Sequence, residues 1–492
     1  MNKKIAIIGS GLGAMSAAIR LAVNKYDVHI FEQNSLPGGK AGSLEIEGFR
    51  FDTGPSLITM PFVINELFEY SGEKPDEYYE IDCPDILCKY FFADGTTLNA
   101  YSNLDKFSAE IEAKTGDNSS SLKNFLAYCR KIYDLTADIF LFNSLNNIRA
   151  NVNLKTLKTL FQIHRIDSFR SMNKAITGFF SDSRNIQIFN RYATYNGSNP
   201  FKAPATLNII SHVELNLGGY YIKGGMFMLC SALYKLAVKK GVSFHFNTKV
   251  EKILLENGNV KGITTNDGTK YFDIAISNAD VSLTYSILLD DSGSKPAKRY
   301  SKLEPSSSAI VFYWGVKIKS QSLVIHNILF SENYEKEFRI LSEDKTCPDD
   351  PTVYIYISSK FNSKDAPEGC ENWFVMINTP YDSGQDWETE IKKTKKNIIQ
   401  KINKVLGIEL NKLIVSESIL SPPILEKING CSKGSIYGYS SNSRTAAFLR
   451  HSNKSHQYKN LYFCGGSVHP GGGIPLVILS GKLAAEAILK RE

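Results

Sequence analysis

The N-terminal glycine motif places the strongest constraint on how this chain can fold. A β-branched apolar run at 4–8 is typical of a strand buried in a parallel sheet, and it leads directly into Gly9-Ser10-Gly11-Leu12-Gly13-Ala14. A helix pattern follows over 14–23, and a second strand pattern over 26–31 ends at Glu32. Together these elements predict a βαβ unit of the kind that binds a dinucleotide.

The residue types in this motif each suit such a ligand. Gly9 permits the tight turn, Gly11 lets the backbone approach a pyrophosphate, and Ala14 allows the helix to pack closely on the strand. The phosphates are expected at the helix N-terminus, where free N–H groups favour negative charge. Glu32, 23 residues after Gly9, is expected to bind the adenosine ribose and to repel a 2′-phosphate. The motif alone leaves NAD and FAD open.

Length and composition indicate an ordinary globular protein with more than one structural unit. The chain has 492 residues, 43 % apolar and 22 % charged. Its eight cysteines form no CxxC pair and no zinc-type Cys/His cluster, so we predict reduced thiols and no metal site. The net charge of +7 exerts only a weak general pull on anionic partners, and no nucleic-acid partner is predicted. No apolar stretch reaches the roughly 18 residues of a membrane span, so we expect a cytoplasmic protein that is at most peripherally bound to a membrane.

Two further glycine-containing segments follow the βαβ unit. Gly38-Gly39-Lys40 stands six residues beyond Glu32, and Phe51-Asp52-Thr53-Gly54-Pro55-Ser56 comes after a short strand pattern. An acid, a short spacer and a Gly-Gly-Arg/Lys turn resemble the flavin family that includes amine oxidases, protoporphyrinogen oxidases and carotenoid desaturases. This resemblance implies that the dinucleotide is FAD.

Two downstream segments extend the resemblance. The strand patterns that begin near Val250 and end at Asn278 are similar to the family's second flavin segment, in which the backbone at the Val250 position meets the adenine. The third segment, 465–475, is similar to the carotenoid desaturase signature that holds the ribityl chain and pyrimidine end of the flavin. Amine oxidases generally carry an acid where this chain has Ser467, which argues against amine oxidation. His469 in this segment is expected to position backbone rather than to act in chemistry.

The motif and the resemblance together give a set of candidate FAD-binding residues. They are Gly9, Ser10, Gly11, Leu12, Gly13, Ala14, Glu32, Gly39, Lys40, Gly54, Pro55, Ser56, Val250, Asn278, Gly465, Gly466, Ser467, Gly473, Ile474 and Pro475.

Two blocks in the middle of the chain, 191–204 and 214–226, also resemble carotenoid desaturases. In such enzymes the aromatic–Lys/Arg–Gly–Gly block lies near the isoalloxazine. We therefore expect Tyr220 or Tyr221 to wall a polyene tunnel and Lys223 to stabilise charge near the flavin, although the tyrosines fit an ordinary core equally well. Desaturation requires hydride loss to the flavin and proton loss from the neighbouring carbon. Glu214 is the candidate proton acceptor because it is the acid closest in sequence to this block.

Residues 122–180 have a helical pattern in which basic and aromatic residues are interleaved. Between 149 and 180 the single acid Asp167 stands against six cations, which are Arg149, Lys155, Lys158, Arg165, Arg170 and Lys174. Such a composition suits a helix at a membrane surface, and a solvated basic face over an apolar core stripe is the alternative. The water-insoluble substrate implied by the resemblance favours the membrane.

The resemblance implies an α/β fold: a discontinuous Rossmann-like FAD-binding domain, an inserted α+β substrate domain and a helical membrane-associating region. The predicted ranges are 1–100, 215–290 and 440–492 for the FAD-binding domain, 101–214 for the helical lid, membrane and substrate region, and 291–439 for the substrate domain. His326-Asn327 and the segment 330–338 look most like the branch of hydroxycarotenoid 3,4-desaturases and methoxyneurosporene dehydrogenases.

The activity implied by this branch is the FAD-dependent introduction of C=C bonds into a long, apolar acyclic carotenoid, with a quinone or oxygen as electron acceptor. Phytoene desaturation and flavin-dependent carotenoid isomerisation are the alternatives among enzymes. A prenyl-lipid-binding chaperone of the Rab-escort type, which shares this fold without redox chemistry, is the alternative outside them. The residues leave open which bond is desaturated.

Overall fold

The structure, a computed structural model, describes residues 3–143, 166–443 and 450–490, which form an α/β fold with several sheets and many helices. The strands of these ranges, in chain order, are β1 (Lys4–Ile8), β2 (Asp27–Phe31), β3 (Ser43–Ile46), β4 (Phe49–Asp52), β5 (Ile58–Thr59), β6 (Ile81–Asp82), β7 (Ile86–Phe91), β8 (Thr97–Tyr101), β9 (Gly219–Ile222), β10 (Ser243–His245), β11 (Val250–Glu256), β12 (Asn259–Thr265), β13 (Gly268–Tyr271), β14 (Ile274–Ser277), β15 (Ser308–Val316), β16 (His326–Leu329), β17 (Val353–Tyr356), β18 (Glu371–Thr379), β19 (Ile414–Leu420) and β20 (Leu461–Phe463).

The α-helices of the same ranges are α1 (Leu12–Val23), α2 (Pro61–Tyr70), α3 (Leu104–Lys114), α4 (Ser119–Phe140), α5 (Met172–Ile176), α6 (Ser183–Asn190), α7 (Ile209–Leu215), α8 (Phe227–Lys239), α9 (Val281–Leu283), α10 (Lys295–Tyr300), α11 (Tyr334–Arg339), α12 (Trp387–Leu406), α13 (Leu410–Leu413), α14 (Pro422–Asn429) and α15 (Ile474–Leu489). Several begin at a side-chain cap; for example, the Asn118 side chain accepts a hydrogen bond from the backbone N–H of Ser120 at the start of α4. Within the described ranges, no helix is long and apolar enough to cross a membrane.

The first sheet has five strands in the order β10-β2-β1-β14-β20, and every neighbouring pair is parallel. Its strands come from widely separated parts of the sequence. β1, α1 and β2 form the βαβ unit predicted from the glycine motif. α1 and α15 pack together on this sheet, and the close approach of Gly481 to the backbone of Gly13 leaves no room for a side chain there.

The second large sheet has seven strands in the order β19-β15-β18-β17-β16-β7-β8, with only the β16–β7 pair parallel. One face packs on α12 through a core that includes Trp314 and Ile398. β7 and β8 belong to this sheet although the FAD-binding range was expected to reach residue 100. The difference arises because β7 finds its partner in β16, a pairing between distant segments that local sequence does not reveal.

The opposite face of the seven-stranded sheet is rich in aromatic side chains. Register places Tyr354 opposite Met376, Tyr356 opposite Phe374, and Phe374 opposite Tyr313, so these side chains share one face. We call this surface the aromatic face. Part of it packs against Phe49 and Phe51 of β4, the strand that leads into the segment 54–56 predicted to bind the flavin.

Helices α3 to α7 cover the β7–β8 end of the same sheet through a second apolar core. Four cations of the predicted basic segment, Arg149, Lys155, Lys158 and Arg165, lie outside the described residues. Of the other two, Arg170 forms an ion pair with Asp167, and Lys174 is exposed on α5.

Candidate functional site

Three segments far apart in sequence meet at the carboxyl end of the parallel sheet. A side chain on Gly11 would place its Cβ 2.7 Å from Nδ2 of Asn278, and one on Gly465 would place its Cβ 2.9 Å from Oδ1 of the same residue. A Cβ on Gly13 would lie 3.3 Å from the backbone nitrogen of Gly465. The Asn278 backbone N–H donates to the Ile8 carbonyl at 3.0 Å. The N-terminal motif, Asn278 and the C-terminal glycine segment are therefore brought together, as their resemblance to flavin segments implied.

The start of α1 has the properties of a phosphate site. Gly11 is its N-cap and supplies no side-chain hydrogen bond, and the first helical turn carries no acid. Gly9 turns with a φ of +87° while its N–H donates to the Phe31 carbonyl, a conformation that favours glycine. The free N–H groups of this turn therefore fit a pyrophosphate.

Glu32 lies buried at the end of β2, where several donors hold its carboxylate. The backbone N–H and the hydroxyl of Ser10 both donate to Oε2 at 2.8 Å. The backbone N–H and the side-chain amide of Asn34 donate to Oε1 at 2.9 and 3.0 Å. The Glu32 carbonyl also accepts from Thr248, two residues before Val250. An oriented carboxylate thus stands beside the segment expected at the adenine.

The second glycine turn packs against the first. The Gly38 N–H donates to the Ser10 carbonyl at 3.0 Å, and a Cβ on Gly39 would lie 3.5 Å from the Cα of Gly11. Gly54 approaches the carbonyl of Lys40 too closely for any side chain at position 54. The predicted segments 38–40 and 54–56 are therefore adjacent.

The Lys40 side chain reaches away from this turn to a distant loop. Its ammonium donates to the carbonyls of Ser435 at 3.1 Å and Ile436 at 2.6 Å. The loop around 435–436 thereby joins the walls of the candidate FAD site.

The C-terminal glycine segment leaves open space next to the start of α15. The nearest atom to a Cβ built on Gly466 is the Cα of Gly472 at 3.7 Å, and nothing described lies within 4 Å of one built on Gly473. α15 then begins at Ile474, with Pro475 in its first turn. The Ser467 hydroxyl accepts from the Val281 N–H at 3.1 Å. Open glycines at a helix N-terminus fit the ribityl chain and pyrimidine end of a flavin.

A buried cation that the sequence did not single out supports this segment. Arg450 donates to the carbonyls of Tyr437 at 3.0 Å, Gly466 at 2.9 Å and Tyr439 at 3.2 Å, and to the Asn196 side chain at 3.1 Å. Burial lowers the pKa of Arg450 to about 10. Its acceptors are backbone and amide oxygens on distant segments, so no sequence motif could have predicted these contacts.

His469 makes a structural contact. Its Nε2–H donates to the carbonyl of Asn143 at 2.9 Å, and burial lowers the pKa of the imidazole to about 4, so the ring is neutral near pH 7. This contact agrees with a backbone-positioning role.

Glu214, the candidate proton acceptor, lies on α7 with only 3 % of its surface exposed. Tyr192 donates to Oε1 at 2.9 Å and Tyr195 donates to Oε2 at 2.5 Å. The Arg191 guanidinium lies 3.6 Å from Oε1 and donates to the Tyr90 hydroxyl at 3.0 Å. The carboxylate is therefore paired with a buried cation inside a shell of tyrosines. The sequence pointed to the block 191–204 but not to this role for Arg191, Tyr192 and Tyr195.

Glu214 and the aromatic face converge on the loop that follows Ser56. A Cβ on Gly219 would lie 3.5 Å from Cγ of Glu214 and 3.2 Å from a methyl of Leu57. The Ser56 and Tyr354 hydroxyls are 2.6 Å apart. We call this junction the seam, defined by Ser56, Leu57, Glu214, Gly219 and the aromatic face.

The other two candidate catalytic residues lie differently. The Tyr220 hydroxyl donates to the Leu217 carbonyl at 3.2 Å, and its ring packs on the core beneath the parallel sheet. Its neighbour Tyr221 points to the opposite side of β9 and joins the core of the aromatic face, so it is the better placed of the two tyrosines to line the seam. A role for Tyr220 stays a prediction.

Lys223 departs from its expected place. It lies just past the end of β9, 56 % exposed, with Nζ 2.7 Å from a carboxylate oxygen of Glu80. The structure thus gives Lys223 a surface ion pair and offers no support for a charge-stabilising role beside the flavin.

A family model described as flavin-containing amine oxidoreductase matches residues 15–489. The chain belongs to this family. It is 43 % identical over 486 residues to the 1-hydroxycarotenoid 3,4-desaturase of a Flavobacterium species, with 99 % of both chains covered. It is 34 % identical over 489 residues to the 4,4′-diaponeurosporene oxygenase of Staphylococcus haemolyticus, covering 99 % of this chain and 97 % of that one.

A solved structure shows the same fold at low sequence identity. Putrescine oxidase, solved with bound putrescine, aligns with a TM-score of 0.64 at 12 % identity over the full length of both chains. Family membership and the fit of the glycine cradle identify the protein as an FAD-dependent oxidoreductase. This sets aside the alternative of a prenyl-lipid-binding chaperone.

Proposed function

We propose that the protein introduces a C=C bond into a hydroxylated acyclic carotenoid, in the manner of the 1-hydroxycarotenoid 3,4-desaturase to which it is 43 % identical. The observation that carries this proposal is the seam. There a buried carboxylate and an aromatic surface meet the loop at Ser56 and Leu57. Such a junction suits a long apolar molecule that must lie against a flavin.

The residues in and around the seam have two roles, proton transfer and substrate orientation. When bound, FAD supplies the acceptor for the hydride. Glu214 takes the proton from the neighbouring carbon, and Arg191, Tyr192 and Tyr195 fix the direction of its carboxylate. The aromatic face orients the polyene and keeps water away from the reacting carbons. A quinone or oxygen would serve as the final electron acceptor.

The FAD site is assembled within a Rossmann-like domain that is discontinuous in sequence. It is built on the parallel sheet and the segments that meet around Gly11, within the ranges 1–100, 215–290 and 440–492 but without β7 and β8. The candidate cofactor residues belong to this domain, and the seven-stranded sheet with helices α3 to α7 forms the substrate side.

A membrane surface is the proposed source of the substrate. Phe169, beside the basic segment, is 69 % exposed, and Phe62 on α2 is 49 % exposed with its ring 6.4 Å from that of Phe142. Aromatic side chains near cations suit insertion among lipid headgroups. The protein would then act as a peripheral membrane enzyme.

The alternatives predict different products. An oxygenase, the activity named for the Staphylococcus relatives, adds oxygen to the carotenoid. An isomerase leaves the mass unchanged, and a phytoene desaturase acts on phytoene in place of hydroxylated carotenes.

Product analysis separates these activities. FAD-loaded protein is incubated with liposomes that carry a 1-hydroxylated acyclic carotene, and the pigments are analysed by chromatography and mass spectrometry. We expect a product lighter by two hydrogens with a longer chromophore. A product that gains oxygen, an isomer of equal mass, or conversion of phytoene alone would contradict the proposal.

A further inference from the structure

His326 is a polar residue on the aromatic face whose bonding is incomplete. It lies at the start of β16 and is only 4 % exposed. Nδ1 lies 2.8 Å from the Tyr354 hydroxyl, which in turn is 2.6 Å from the Ser56 hydroxyl. Nε2 is buried and makes no hydrogen bond with any described residue. Buried polar atoms nearly always have hydrogen-bond partners, so we expect this nitrogen to bind a ligand.

The surroundings of His326 hold the ring rigidly in one orientation. The imidazole stacks on Tyr356 with ring centroids 5.1 Å apart and an interplanar angle of 14°. Strand pairing fixes its backbone opposite Tyr356. The unpaired Nε2 is therefore preorganised for a ligand.

The protonation state of His326 limits what the ligand can be. Burial and the nearby charge of Arg191 lower the pKa of His326 to about 3, so the imidazole is neutral under physiological conditions. A neutral imidazole has one donor and one acceptor nitrogen, and Nδ1 is already engaged with Tyr354. Nε2 can therefore make one uncharged hydrogen bond, as donor or as acceptor depending on the tautomer. A hydroxyl group can serve as the partner in both cases, because it can donate and accept.

A second buried atom in the same region also lacks a partner. Nε of Arg191 makes no hydrogen bond with any part of the chain that the structure describes. It is a donor only, and a hydroxyl that donates to an imidazole can accept from such a group. Both atoms belong to residues that surround the seam.

We propose that Nε2 of His326 binds the hydroxyl group of the hydroxylated carotenoid and thereby determines substrate specificity. This inference rests on the proposed desaturase function. Tyr354 and Ser56 are positioning residues, because their hydrogen bonds connect His326 to the flavin-binding loop. A hydroxyl anchored there lies at a fixed distance from the cofactor, which selects the carbon–carbon bond that reacts.

The test compares two substrates that differ only in the hydroxyl group. Rates are measured for a 1-hydroxylated acyclic carotene and for the same carotene without the hydroxyl, using FAD-loaded protein in liposomes. The wild type is expected to prefer the hydroxylated substrate, since a site built to bind a hydroxyl rejects the analogue that lacks it. His326→Phe should lower kcat/KM for the hydroxylated carotene by about 10- to 100-fold and change kcat/KM for the other substrate far less. His326→Gln, which keeps a donor and an acceptor, should restore part of the preference.

A matched pair of tyrosine variants tests the positioning role. Tyr354→Phe removes the hydroxyl that contacts His326 and should raise KM for the hydroxylated substrate alone, with little change in kcat. Tyr79→Phe removes another buried hydroxyl, one that donates to the Asn65 side chain in the core of the parallel sheet, and should change neither substrate's kinetics.

The outcomes separate this inference from the function on which it rests. Equal losses on both substrates in His326→Phe would show a structural role and overturn the inference. Equal wild-type rates on both substrates would overturn it while leaving the desaturase function intact. A wild type that desaturates neither substrate would overturn both.

Discussion

The carboxylate of Glu214 lies 3.6 Å from the guanidinium of Arg191, and both groups are buried. Hydrogen bonds from Tyr192 and Tyr195 occupy one site on each oxygen, which fixes the carboxylate while leaving further lone pairs free. This pair gives the proposed desaturase an oriented proton acceptor inside an apolar site. Breaking such a pair on one side typically costs about 3–5 kcal/mol of stability, so its variants need a structural control.

Glu214→Gln should lower kcat by on the order of 10²- to 10⁴-fold, because an amide cannot take the proton. FAD content should stay near that of the wild type, since Glu214 lies on the substrate side. Glu337→Gln is the control, because Glu337 is equally buried and is held by Ser331 and Thr352 away from the seam. Steady-state kinetics and thermal melts check both variants. Similar losses of turnover in the two would contradict a specific role for Glu214.

Glu32→Gln should weaken FAD binding by about tenfold, because one of the oxygens offered to the adenosine ribose becomes an N–H donor. The substitution keeps the shape of a buried side chain, so circular dichroism should remain that of the wild type. Fluorescence titration of the apoprotein with FAD measures the change. Undiminished affinity would show that the ribose lies elsewhere.

Gly466→Val should give a soluble, colourless protein without desaturase activity. A Cβ on Gly466 would lie at an ordinary contact distance of 3.7 Å from the Cα of Gly472, so the variant can fold, but the branched side chain would occupy the place of the ribityl chain. Gly293→Val is matched to it, because Gly293 also has open space for a side chain. The flavin absorption of each purified protein shows whether FAD is bound. A yellow and active Gly466→Val variant would mean that the C-terminal flavin contact is wrongly placed.

Neutralising Lys155, Lys158, Arg165 and Arg170 together should weaken binding to anionic liposomes, since each cation near such a surface contributes about 1 kcal/mol. A control variant neutralises four exposed lysines from the far side of the seven-stranded sheet, Lys392, Lys396, Lys404 and Lys412. Co-sedimentation at low salt measures the liposome binding of both variants and of the wild type. If both variants lose binding equally, or neither does, the basic segment is not the membrane contact.

The parts of the site that the sequence predicted are those fixed by local backbone chemistry. The glycine turns around Gly11, the acid at Glu32 and the C-terminal cradle at Gly466 can be recognised because tight turns and ligand approach demand particular residue types. In the structure, the N-terminal glycine motif and the C-terminal glycine segment lie together around Asn278.

The parts that the sequence missed depend on contacts between distant segments. Ser56 and Tyr354 are 298 residues apart, and the acceptors of Arg450 lie on three separate segments. His326 and Tyr354 share a face only because β16 and β17 pair in one register. Lys223 shows the same limit: it stands within the block 214–226 in sequence, yet its side chain lies at the surface past the end of β9, paired with Glu80.

The central claim is that hydride passes from a hydroxylated carotenoid to FAD bound in this cradle. The most direct measurement mixes FAD-loaded protein with a 1-hydroxylated acyclic carotene in liposomes, without oxygen or quinone, and follows flavin and carotenoid absorption together. We predict that the oxidised-flavin band bleaches as one new double bond forms per flavin, and that a quinone or oxygen then restores the band. A flavin that stays oxidised, or a product formed without flavin reduction, would contradict the account.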